Sequence, residues 1–160
     1  AEMVADTTYM RIEGFGDSVA YRLGELRRIL APHGALDVID DAKTSQSLWA
    51  DITNVAGLAD AKGDVWRISV KPSDAPAVLE KLPNAPHQLD WGGGLIWIAL
   101  PAGHDPRPAL AGIGGHATRI RGTQGGLATF HPEPAPLAAI AAGLRTNFDP
   151  RGILNTGLMG

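Results

Sequence analysis

Few residues in this chain could do chemistry, and they lie far apart. Arg67 is the sharpest of them, set in VWRISV between Trp66 and Ile68. If Trp66, Ile68 and Val70 face a core, Arg67 and Ser69 take the opposite side of the strand. Arg11 holds the equivalent position in TYMRIE, another alternating segment from Thr8 to Glu13. Were these two strands neighbours, their guanidinium groups would converge on one sheet face. They would repel unless an anion, a carboxylate or a stacked ring sat there. Two readings stay open: a site for a carboxylate or an acidic partner surface, and an ordinary surface pair balanced by Glu13. His116 is the second candidate. It begins HATRIR after Gly114-Gly115, beside Arg119, and imidazole changes charge in the physiological range.

Other chemistries lose their support on spacing. The chain has no cysteine, which removes disulfides, iron–sulfur clusters, thiolate zinc sites and cysteine nucleophiles together. Its five histidines form no H-x-x-x-H pair and meet no local carboxylate cluster, so no metal is expected. EGFGDSV imitates a dinucleotide fingerprint but has Val19 where the third glycine belongs, and reads as a turn with an N-cap. Gly92-Gly93-Gly94 lies between two strand-like segments and reads as a hairpin turn rather than a phosphate cradle. There is no G-x-S-x-G elbow. The four tryptophans are expected in the core.

The elements that must position these residues follow from periodicity. Thr8–Glu13, Ala35–Ile39, Val65–Val70, His87–Trp91, Leu95–Leu100 and His116–Arg121 read as strands. In the last of these, Ala117, Arg119 and Arg121 are expected on one face. Asp17 or Ser18 caps a first helix with Val19, Leu23, Leu26 and Leu30 on its stripe; Pro32 and Gly34 end it. Thr44 or Ser45 caps a second helix carrying Leu48, Trp49, Ile52 and Val55. Shorter helices are expected over 74–82, 108–112 and 137–148. This order predicts an α+β fold: a ferredoxin-like antiparallel sheet with helices on one face, extra strands and a C-terminal docking tail.

Length and charge set the outer bounds. At 160 residues the chain fits one domain spanning 1–160. The net charge is −3, while residues 104–160 carry 3 acids and 5 bases. That tilt suits an anionic small molecule or an acidic neighbour and is too slight for nucleic acid. No apolar run spans a bilayer and the start is no signal peptide; a cytoplasmic location is expected, which the absence of cysteine fits.

The ending supplies the most specific signal. Phe148-Asp149-Pro150-Arg151-Gly152-Ile153-Leu154-Asn155-Thr156-Gly157 is similar to the last segment of FAD-linked oxidases of the vanillyl-alcohol-oxidase type. YMRIEG, LWADI, DVWRISVKP, LDWGGGLIWIAL, GGHATRIRG and FHPEP extend the resemblance to the C-terminal half of glycolate oxidase FAD-binding subunits. The resemblance implies a cap, or substrate, domain whose N-terminal FAD-binding domain is absent here, so the chain alone is expected to be inactive and to bind no FAD. It implies a complete enzyme that oxidises glycolate, or another 2-hydroxy acid, to the 2-oxo acid. It gives Asn155 a place near the flavin, although Thr156 stands where the family has proline. It makes Arg67, with Arg11, the ligands of a substrate carboxylate or of the FAD domain, and His116 a base near the hydroxyl. The implied partners are the FAD-binding domain, a second flavin subunit and an iron–sulfur subunit, which could hold the protein at the inner membrane. A non-catalytic ligand-binding or subunit-assembly module is the alternative.

Overall fold

The structure, a computed structural model, describes residues 7–122 and 126–154. It divides into two compact units, one up to Gln46 and the other from Ser47.

The first unit is dominated by α1 (Gly16–Leu30), followed by a 3-10 turn (Ala31–His33). Val19, Leu23, Leu26 and Leu30 form its half-buried stripe while Arg22, Arg27 and Arg28 stay exposed, as the 3.6-residue period requires. The expected cap is not made: α1 opens from Phe15 with no side-chain cap bond. Neither Thr8–Glu13 nor Ala35–Ile39 forms a strand. Alternation alone does not make a strand, because the ladder needs a neighbour to pair with. Around Glu13, local side-chain bonds take its place: Arg11 ion-pairs with Glu13, and Arg22 donates to the Glu13 carbonyl. The next helix, α2 (Ala42–Thr53), begins earlier than expected and is held by Asp41. Asp41 Oδ1 accepts from Thr44 N at 2.8 Å and from Thr44 Oγ1 at 2.6 Å. These bonds hold the Asp41 carboxyl below its ordinary range.

The second unit is built on four strands: β1 (Asp64–Ser69), β2 (His87–Asp90), β3 (Leu95–Leu100) and β4 (His116–Arg121). Their order is β2-β3-β1-β4, each neighbouring pair antiparallel. An α+β fold is therefore present. The first and third strands of the sheet lie side by side, as in a split βαβ unit, but that first strand is Asp64–Ser69 rather than Thr8–Glu13. Between β1 and β2 run a 3-10 turn (Pro72–Asp74) and α3 (Ala75–Glu80); a 3-10 turn (Arg107–Leu110) links β3 to β4. After β4 comes α4 (Ala135–Phe148).

One face of the sheet is closed. Trp66, Ile68, Ile96, Ile98 and Ala117 pack against Ala75 and Val78 of α3 and against Ala109 and Leu110. Each large side chain buried there contributes roughly 1.5–3 kcal/mol. On the other face Val65 and Ala99 are covered by Leu58, with Val55, Ala61 and Trp97 half-buried beside them. The cover continues to Gln88, whose side chain donates to the Ile52 carbonyl at 2.9 Å. Leu95 is buried in the far row, while Arg67, Ser69 and Thr118 are half-buried and His116 is exposed.

Candidate functional site

Cross-strand partners share a sheet face, so the ladder register lays out the second face row by row. Gln88, Trp97, Arg67 and Thr118 form one row; Asp90, Leu95, Ser69 and His116 form the next. Arg67 and His116, both singled out from the sequence, therefore occupy one face as diagonal neighbours, a separation of about 7–8 Å. Arg11 belongs to the first unit and to no strand, so the sheet does not bring it beside Arg67.

Arg67 is half-buried. Its guanidinium lies over the Trp91 ring, 5.1 Å from the centroid, so the stacked ring is one answer to its charge. None of its N–H groups makes a hydrogen bond or ion pair among the described residues. Five donors in a fixed fork are thus left half-buried and unclaimed. Trp91 departs from expectation: it is 61% exposed rather than core. It takes the left-handed backbone (φ 54°) and donates its N–H to Asp90 Oδ1 at 2.7 Å. Trp66 is fully buried and Trp97 half-buried.

His116 is exposed and lines an open concavity of about 270 Å³ with Ser69, Lys71, Gly114 and Gly115. Gly115 has φ +113°, and a Cβ there would stand 2.3 Å from the Ser69 carbonyl oxygen. Only glycine lets the loop press this closely on β1.

The edge of β4 is occupied by residues 127–131. Arg119 N donates to Thr129 O at 2.8 Å, and Ala117 N donates to His131 Nδ1 at 3.3 Å, so an imidazole substitutes for a strand carbonyl. Arg107, which periodicity did not mark, holds this segment. Its side chain is only 9% exposed, stacks over Trp66 at 4.8 Å, and donates to the carbonyls of Ala128 and Phe130. The signal available was an arginine among helix breakers, in HDPRPAL. Burial, with the Arg107 and His116 charges, pushes the His131 pKa below its ordinary value, against a smaller opposing pull from Asp105.

Arg119 and Arg121 part company. The register shifts between Val65 and Trp66, pairing Trp66 with Arg119 and Val65 with Arg121. This bulge puts the two arginines on opposite faces, against the expectation of one. Arg121 donates to the Leu58, Ala59 and Ala61 carbonyls at 3.0, 2.5 and 2.7 Å. Arg119 lies 4.0 Å from Asp64, which is 1% exposed and accepts from Gly103 N at 3.1 Å.

The turn after α4 has Gly152 at φ +61°. Asp149 Oδ1 and Oδ2 accept from the amides of Ile153 and Leu154 at 3.0 and 2.9 Å, which lowers the Asp149 pKa. The aliphatic side chains of Ile153 and Leu154 remain exposed, as do Leu137, Ile140, Leu144 and Phe148 along α4. Asn155 lies outside the described residues.

The chain thus carries exposed apolar side chains on α4 and at Ile153 and Leu154, and a sheet face on which the Arg67 guanidinium makes no hydrogen bond among the described residues. Over 98 residues, 61% of its length, the chain is 41% identical to glycolate oxidase subunit GlcE of Escherichia coli. The chain is similar to a glycolate oxidase subunit. It spans 26% of that subunit's length. No family model matches the chain, and no solved structure does. Among the described residues no helix is long and apolar enough to cross a membrane.

Proposed function

We propose that this chain is the cap, or substrate-side, part of a flavin-dependent glycolate oxidase subunit, its open sheet face turned toward the reacting centre. The observation that carries the site is Arg67: a half-buried guanidinium stacked on Trp91 with no acceptor among the described residues. The 41% identity to glycolate oxidase subunit GlcE supports the reaction class.

FAD would be held by the rest of the complete subunit, with these residues covering it. When bound, FAD supplies the hydride acceptor for oxidation of glycolate to glyoxylate. Arg67 holds the substrate carboxylate through charge-assisted bonds. His116, one row away on the same face, takes the hydroxyl proton as a base. Arg11 serves the docking surface of the first unit, and Asn155 the flavin-proximal end of the tail.

Docking on the FAD-binding domain accounts for the exposed stripe Leu137, Ile140 and Leu144 on α4 and for Ile153 and Leu154 beyond it. A second flavin subunit and an iron–sulfur subunit complete the proposed assembly, in the cytoplasm or at the inner membrane. The same stripe favours a second reading, a purely assembly-forming module.

The test is Arg67→Ala in the complete subunit assembled with its partners. The expected result is a kcat/KM for glycolate about 10–100-fold lower, the worth of a charge-assisted pair, with FAD content unchanged. Unaltered kinetics would leave the assembly reading in its place. The isolated chain mixed with FAD should stay colourless after gel filtration.

A further inference from the structure

Trp91 is an unlikely residue for its backbone. An aromatic side chain at φ 54° is an outlier, and such conformations persist where the surroundings impose them, often at binding sites. The turn could be made at no strain by glycine, which fills the next three positions. Burial does not explain the tryptophan, since the side chain is 61% exposed. Its main-chain bond to Asp90 does not need an indole either. What the indole does is lie under Arg67, at 5.1 Å.

We propose that Trp91 is a platform that fixes the plane of the Arg67 guanidinium, so that the pair binds a small carboxylate edge-on. Stacking occupies the face of the guanidinium and leaves its N–H edge free. The same stack removes rotamer freedom from a long side chain, lowering the entropy lost when a ligand binds. Trp97 and Thr118, the direct cross-strand neighbours of Arg67, wall the edge on either side, and both are half-buried. Asp90, the nearest acid in the adjoining row, is already engaged by the Trp91 amide and makes no ion pair with Arg67. A two-oxygen planar anion matches this fork. The inference rests on the reading of Arg67 as an anion site and adds a specificity-determining residue to it.

The test uses the chain itself, titrated with sodium glycolate or sodium acetate at constant ionic strength. The Arg67 Nε–H and Trp91 indole N–H resonances are followed. In the unsubstituted chain both should shift together and saturate. Trp91→Gly and Trp91→Asn, both at ease in the left-handed region, should weaken binding about tenfold with an unfolding midpoint equal to or above the starting one. Trp91→Phe should retain most of the affinity, and Arg67→Lys should lose it. Undiminished affinity in Trp91→Gly and Trp91→Asn would overturn the platform while leaving Arg67 as the anion site. No saturable shift in the unsubstituted chain, with either carboxylate, would remove the Arg67 reading and the platform with it.

Discussion

The two faces of one sheet use adjacent residues for opposite purposes. Ile68 is completely buried among Ile96, Val78 and Ala117; Arg67, one residue earlier, faces Trp91 with its hydrogen-bonding groups unclaimed. On the closed face the contacts are mainly apolar, with Arg107 stacked on Trp66 and Arg119 beside the buried Asp64. On the other face Gln88 and Arg121 donate to backbone carbonyls while the Arg67 guanidinium makes no hydrogen bond among the described residues. Alternation along a strand thus lets one set of residues hold the fold and leaves the other set free of that task.

The sharpest way to break that separation is to truncate neighbours on β1. Ile68→Ala should cost about 2–5 kcal/mol, the usual range for a buried branched aliphatic cut to alanine. Arg67→Ala should cost about 1 kcal/mol or less, because it removes a stack and no hydrogen bond among the described residues. Urea unfolding of both variants reads the difference directly. Comparable losses would mean that Arg67 is a structural residue and that the open face is part of the fold.

Gly115→Ala tests the point where the two purposes meet. The added Cβ would stand 2.3 Å from the Ser69 carbonyl oxygen, at a φ of +113° that alanine adopts poorly. The loop must move off β1, with an expected loss of about 1–3 kcal/mol. The concavity lined by His116 and Lys71 should change shape with it. A variant of full stability, with unshifted His116 and Lys71 resonances, would show that the loop is not fixed by that close approach.

What could be read from the sequence divides along the same line. The four strands of the sheet and α1 were legible within a residue or two because each carries its own periodicity. Thr8–Glu13 carries the same alternation as Val65–Val70, yet only the latter finds partners on both sides. Pairing is a tertiary fact that no single segment contains. The bulge that separates Arg119 from Arg121 likewise arises between β1 and β4. At the site, Arg67 and His116 were visible as polar residues at special strand positions. Trp91 and Arg107 were not, since each acts through a ring or a set of carbonyls contributed by another part of the chain.

The smallest expected effect concerns the edge of β4, where the closed core and the open face share a border. His131 accepts the Ala117 amide through Nδ1, so that nitrogen must be unprotonated. Burial first, then the charges of Arg107 and His116, disfavour an imidazolium, and Asp105 only partly offsets them. The folded-state pKa therefore lies below the ordinary value of 6.5. With the unfolded chain binding the proton more readily, the contribution is fully present above 6.5 and declines as pH falls from there toward the folded-state pKa. Because protonation at Nδ1 also removes the acceptor, the loss should appear locally. The Ala117 amide should exchange faster with deuterium in mildly acidic buffer, after correction for intrinsic rates, while the Ile96 and Ile98 amides on β3 keep their protection. In His131→Gln, whose carbonyl can accept but does not titrate, that pH dependence should disappear. If Ala117 protection stayed constant across this range in the unsubstituted chain, the imidazole would not be what holds the edge, and the carbonyl bonds of Arg107 would have to suffice.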